Sequence, residues 1–266
     1  MKKVFLIVLA LTMCLSTAIL FSSCACEHVC TTEGEWDATH HWSVCDKCGE
    51  TYDKAEHTWG EASRVSVGTH MHACTVCKKQ AYLEYETKIT ADTFETAMTL
   101  GNNFTLIAEM KVTTGVDAKS EFAIERQGDK FSLETVSTSS EAGKIRSAIF
   151  AEIVDGKVYE YEVDFDKDDN ISACVKEEME GVSATEYFAD FENDIIPDML
   201  HDFSLYTYDE DSQTYKTASI ANYLTNVELG FEDNKIVLIK YTLSDYSYTM
   251  EITYGNADIT IPAVTQ

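Results

Sequence analysis

Proline, glycine and basic side chains are all scarce in this chain. Only 2 Pro and 12 Gly occur in 266 residues, which excludes a collagen-like or proline-rich stalk. Against 46 Asp and Glu stand 20 Lys and Arg, a net charge of −26. A binder of phosphate backbones needs local cations, so nucleic acid is not expected as a partner. The same deficit argues against electrostatic attraction to anionic lipid, leaving hydrophobic or covalent means of membrane attachment. No H-E-x-x-H, G-x-S-x-G or G-x-x-x-x-G-K motif occurs. Outside the N-terminal third only His201 and Cys174 remain as chemistry-bearing His or Cys. His201, near Asp198 and Asp202, reads as a helix-end residue favoured by the local dipole. Cys174 reads as a small core residue. The expectation is a protein that is not an enzyme, although so many carboxylates leave a paired acid and base open. Hydrophobic residues at 45% and aromatics at 11% are enough to build a core.

What is present begins with an address. Lys2 and Lys3 precede an uncharged, mostly apolar run from Val4 to Phe21, the layout of a secretory signal. The run ends in Leu20-Phe21-Ser22-Ser23-Cys24, which resembles the bacterial lipobox, with Phe21 where Leu is usual. That resemblance implies diacylglyceryl on Cys24 and cleavage before it, so that residues 1–23 are a lipoprotein signal peptide. Two acyl chains anchor stably where one is marginal. A plain signal peptide or an uncleaved anchor helix is the competing reading.

A repeat follows. His28, His41, Cys45 and Cys48 recur 29 residues later as His57, His70, Cys74 and Cys77. Two cysteines separated by two residues place both sulfurs on one side of a tight turn, half of a tetrahedral zinc shell, and two imidazoles can close it. Each unit is too short for a sizeable core, so metal supplies most of its folding energy. The preferred grouping is within each repeat, giving two structural zinc ions with four protein ligands apiece. Closure of His41, Cys45 and Cys48 by the following His57 is the alternative. Short disulfides or a redox dithiol at Cys45–Cys48 and Cys74–Cys77 compete with zinc altogether. Cys26 and Cys30 fit either a disulfide or free thiols. Trp36, Trp42 and Trp59 serve as apolar cover. The stretch from His41 to Gly49 resembles tandem zinc-ribbon-like repeats of surface lipoproteins of gut Firmicutes, and the second copy departs from it at Met71 and Lys78.

From residue 82 the texture becomes acidic and strand-like. Residues 82–266 hold 37 acidic and 13 basic side chains, against 9 and 7 in residues 1–81. Such an acidic surface keeps an anchored domain soluble and off the membrane. Phe104, Leu106, Ala108, Met110 and Val112 alternate with mostly polar positions, as do Tyr159, Tyr161, Val163 and Phe165. Asp155-Gly156 and Glu232-Asp233-Asn234-Lys235 are turn signals. The acids from Asp164 to Asn170 lack the glycine and glutamate of a calcium loop and read as a hairpin turn. Helices are expected over 93–100, capped by Asp92, and from Ser183 to about Leu200, with Pro197 bending or ending the second.

The fold class expected is α+β, with two helices on a curved antiparallel sheet behind the two zinc repeats. The domains are 1–23, 24–81 and 82–266. The layout from Asn103 to Pro262 resembles the LolA and LppX/LprG half-barrels, which implies carriage of a lipid or lipoprotein across the envelope. The resulting expectation is an extracytoplasmic, cell-membrane lipoprotein holding a hydrophobic ligand. A surface spacer and interaction protein without a small ligand is the alternative.

Overall fold

The computed structural model describes residues 34–114, 117–255 and 257–265. Two compact units are formed. One comprises the chain through Ser63 together with Met71–Leu83, and the other comprises Arg64–His70 with Glu84–Gln266.

The first unit is built on two short sheets from consecutive hairpins. Strands β1 (Glu35–Trp36), β2 (His40–Val44) and β3 (Thr51–Glu56) form one. Strands β4 (Ser63–Ser66), β5 (Thr69–Ala73) and β6 (Gln80–Glu84) form the other, whose tip, residues 64–70, belongs to the second unit. Each C-x-x-C sequence makes the turn after the middle strand. The Gly49 amide donates to the Cys45 carbonyl at 2.8 Å, and the Lys78 amide to the Cys74 carbonyl at 3.0 Å. Gly49 and Lys78 both take a left-handed conformation, with φ of 73° and 61°. Glycine adopts it freely; lysine does so against its Cβ.

The second unit is an antiparallel sheet of eleven strands in the order β12-β11-β10-β9-β8-β7-β17-β16-β15-β14-β13. Strands β7 (Asn103–Val112), β8 (Ala118–Gln127), β9 (Lys130–Ser139), β10 (Gly143–Val154), β11 (Lys157–Phe165) and β12 (Ile171–Glu178) form one meander. Strands β13 (Thr207–Asp209), β14 (Thr214–Ile220), β15 (Leu224–Glu232), β16 (Lys235–Leu243) and β17 (Tyr246–Tyr254) form the other. The two meanders join where β17 pairs with β7. Two-residue turns set the register as the sequence indicates. Asp155 and Gly156 have φ of 53° and 77°, and Asp233 and Asn234 have 48° and 59°, the positive values that match the twist of a hairpin. Asp166 Oδ1 accepts the amides of Asp168 and Asn170, so that acidic segment is indeed a turn between β11 and β12.

The expected α+β half-barrel is corrected here. Strands take 55% of the structure and helix 11%, and the large sheet is not closed, with β12 and β13 as its edges. The helices are shorter than expected. Helix α1 is Ala91–Ala97, capped by Thr90 in place of Asp92. Helix α2 is Ala184–Ile195, capped by Ser183 in a reciprocal box with Glu186. Its end follows from Pro197, which drives the preceding Ile196 out of helical geometry to φ −118°, ψ 89°.

Both helices contribute to one main core on one face of the sheet, through Phe94 and Ala97 of α1 and Phe188 and Ile195 of α2. A smaller cluster of Ala148, Tyr161, Val163 and Cys174 lies on the opposite face, with Ile261 packed against it. The alternation in β11 is therefore real, but its aromatic side faces away from α2. Edge strand β12 is partly covered by the C-terminal segment. Thr265 donates its amide to the Cys174 carbonyl and its Oγ1 accepts the Cys174 amide at 2.7 Å. Among the described residues no helix is long and apolar enough to cross a membrane.

Candidate functional site

In the first unit, His41, His57, Cys74 and Cys77 bring two imidazole nitrogens and two thiols within 4.8 Å of one another. Strand β2 supplies His41, and the segment after β3 supplies His57. The turn after β5 supplies both cysteines. Cys77 Sγ lies 3.4 Å from His57 Nδ1, and Cys74 Sγ lies 4.0 Å from His41 Nδ1. Metal–ligand lengths of about 2.3 Å to sulfur and 2.0–2.1 Å to nitrogen put tetrahedral ligand atoms roughly 3.3–3.8 Å apart. The group can hold a metal ion. Trp59 covers it, with its ring 4.8 Å from that of His57 and stacked at 4.4 Å on His72.

Burial resists ionisation of Cys74. The amides of Cys77 and Val76, with His57 and the Cys77 thiol, outweigh that resistance and bring its thiol down to about 6. A thiolate is the form that ligates metal. The amides come from the turn itself, so the C-x-x-C geometry positions the sulfurs and also charges one of them.

The grouping differs from that of whole repeats. His41 belongs to the first repeat and the other three ligands to the second, so the centre joins consecutive repeats. His70, the second-repeat counterpart of His41, lies in the second unit instead. There its Nε2 sits 3.0 Å from Glu232 Oε2, with its ring against Tyr85. Arg64 holds the same carboxylate with two parallel bonds, Nε to Oε1 at 3.1 Å and Nη2 to Oε2 at 3.2 Å. The Gly68 amide donates to Oε1 at 3.0 Å. Glu232 is buried, and these donors satisfy it. Gly230 makes the close packing here feasible, because a Cβ on it would lie 2.7 Å from Val67. In the sequence Glu232 reads as part of a turn, and this role goes unseen because it ends a strand beside that turn like many exposed acids.

Cys45 is buried and Cys48 half-buried in the turn between β2 and β3. His28, along with Cys24, Cys26 and Cys30, lies outside the described residues. The His201 ring bonds Glu95 at 3.0 Å, and its backbone amide meets the Asp198 carbonyl.

The second unit carries an apolar cavity of about 310 Å³ between α2 and the sheet. Leu106 and Ala108 come from β7, Phe122 and Ile124 from β8, and Met250 from β17. Phe191 and Ile195 enter from α2. Tyr241 and Tyr248 complete the wall, stacked at 4.8 Å. Burial, then the neighbouring Tyr248, pushes the Tyr241 phenol up to about 12, so it stays neutral. No charged side chain lines this space. No protein-family model matches the chain and no curated protein matches it, so its role is argued from these residues.

Proposed function

We propose that the chain is a membrane-anchored, extracytoplasmic binding protein. In this reading Cys24 carries the diacylglyceryl anchor, zinc fastens the repeats, and the cavity under α2 takes a hydrophobic ligand. The observation that carries the reading is the cavity. Cores pack with few voids larger than a water molecule. A space of about 310 Å³ with an uncharged, mainly apolar wall falls in the size range of small-molecule sites. The unbranched, polarizable side chain of Met250 suits an occupant of variable shape.

Zinc is the metal because two thiolates and two imidazoles are its usual structural set, and four protein ligands leave no position for water. The site therefore stabilises and does not catalyse. Shifted by 29 residues, its ligands become His28, Cys45 and Cys48, with Thr12 where a second histidine is needed. The first set is one protein ligand short by this rule. Of two zinc ions bound, one resists chelation and the other exchanges.

Native mass spectrometry of the full chain, purified from a bacterial host without added reductant, tests both parts. An adduct of lipid mass and one chelator-resistant zinc are expected. Zinc without any lipid adduct would instead favour an anchored spacer that docks a protein partner. A mass lowered by disulfides, with no zinc, overturns the metal assignment.

A further inference from the structure

A second apolar cavity, of about 290 Å³, lies along α2. Phe131, Leu133 and Ile149 of the sheet line it, facing Tyr187 and Phe191 of the helix. Leu133 and Phe191 line the first cavity as well. The two spaces are thus separated by this pair, and Phe191 packs edge-on against Phe131 at 4.1 Å. Phe191 therefore stands at the border of both spaces.

The second space differs from the first in carrying carboxylates, Glu160 and Asp190. Glu160 reaches this face by register. It pairs across β10–β11 with Ala151, a member of the main core. Its Oε2 accepts the Tyr187 hydroxyl at 3.0 Å. Burial, the Glu160 charge and that hydrogen bond all raise the Tyr187 phenol, which remains a donor. On the neighbouring strands Glu134 of β9 has Arg146, Glu152 of β10 has Lys176 and Glu178 of β12 has Lys157. Among the described residues no cation pairs with Glu160 or with the exposed Glu162 of β11, although Glu160 borders an apolar space.

We propose that the two cavities form one channel for a single-chain amphiphile with a protonated amine head, its tail beside Tyr241 and Met250 and its ammonium at Glu160. The proposal rests on the hydrophobic-ligand reading above and adds the head group, the polarity of binding and the gating role of Phe191. Apolar burial supplies the affinity, and the uncompensated carboxylate selects the head, since a charge-assisted bond is about twice as strong as a neutral one.

Calorimetric titration of the full chain with dodecylamine, dodecanol and dodecanoate, each below its micelle concentration or solubility limit, tests the head group. Dodecylamine is expected to bind at least about tenfold more tightly than dodecanol, and dodecanoate most weakly. Glu160→Gln keeps an acceptor for Tyr187 and is expected to abolish the amine preference, dodecylamine losing its advantage while dodecanol still binds. Dodecanol binding also reports that the variant is folded. Phe191→Ala is expected to favour octadecylamine over octylamine more strongly than the native chain does, and Phe191→Trp to reverse that change. If dodecanol binds but the amine shows no advantage, or Glu160→Gln leaves that advantage intact, this proposal is overturned and the hydrophobic-ligand reading stands. If none of the three probes binds, the reading itself falls.

Discussion

The two units keep their folds by different means. Among the described residues of the first unit, only His41, Cys45 and Cys74 are buried, and each is a ligand type. The second unit buries Phe94, Phe104, Phe131 and Phe231, with Leu106, Leu229 and Ile239, at 1% exposure or less. One has donor atoms where the other has hydrocarbon. Donor atoms cohere only around an ion, whereas hydrocarbon coheres because water is excluded. On the proposed reading the same chain carries one fold that depends on metal and one that does not.

The largest effect should separate them outright. Chelation, or Cys74→Ser, removes a binding energy on the order of 10 kcal/mol in comparable small zinc folds. The amides of residues 40–56 and 71–83 should then exchange with solvent, while those of β7–β9 and β15–β17 stay protected. Hydrogen exchange read by mass spectrometry checks this, and loss of protection in both units would break the distinction. The reverse change is Phe231→Ala, which removes a ring packed against Phe94 and Tyr215. It should cost the second unit about 3–5 kcal/mol by denaturant titration, with zinc content unchanged.

Glu232→Ala should cost slightly less, about 3 kcal/mol, by leaving Arg64 without its carboxylate at a site where the guanidinium is 17% exposed. The variant distinguishes His70 as an anchor from His70 as a ligand. If zinc stoichiometry falls with Glu232→Ala, His70 serves the metal after all. The smallest effect is expected at Lys78, whose left-handed backbone suits glycine, as at Gly49. Lys78→Gly should stabilise the first unit by about 1 kcal/mol or less, read as a small rise in its thermal transition, since relief of the strain is partly offset by glycine's greater entropy loss.

Local features were readable wherever they depended on adjacent residues. The two C-x-x-C turns, the hairpins at Asp155-Gly156 and Asp233-Asn234, and the burial of Phe104, Leu106 and Ala108 along β7 all follow from neighbours in sequence. The extent of α2 was overestimated because the apolar periodicity runs on through Ile196, although Pro197 ends the helix. The sheet content was underestimated for a similar reason. Helix-like stretches stand out individually, whereas an eleven-stranded sheet is the sum of many modest alternations. Alternation also gives two faces without saying what each will meet. Tyr161 and Val163 are buried, but against Cys174 and Ala148 on the face away from α2, which turns Glu160 toward the helix.

The ligand types, their 29-residue spacing and the turns that present the thiols were determined by the sequence itself, because coordination chemistry and turn geometry act over a few residues. Which histidines meet which cysteines was decided by tertiary structure alone. His41 and His70 occupy equivalent places in the repeat, yet one lies beside Cys74 and the other on Glu232, 162 residues away. A repeated sequence specifies equivalent donors. Their partners depend on what the fold brings alongside, and after the last repeat there is no further C-x-x-C turn, only the acid of a distant strand.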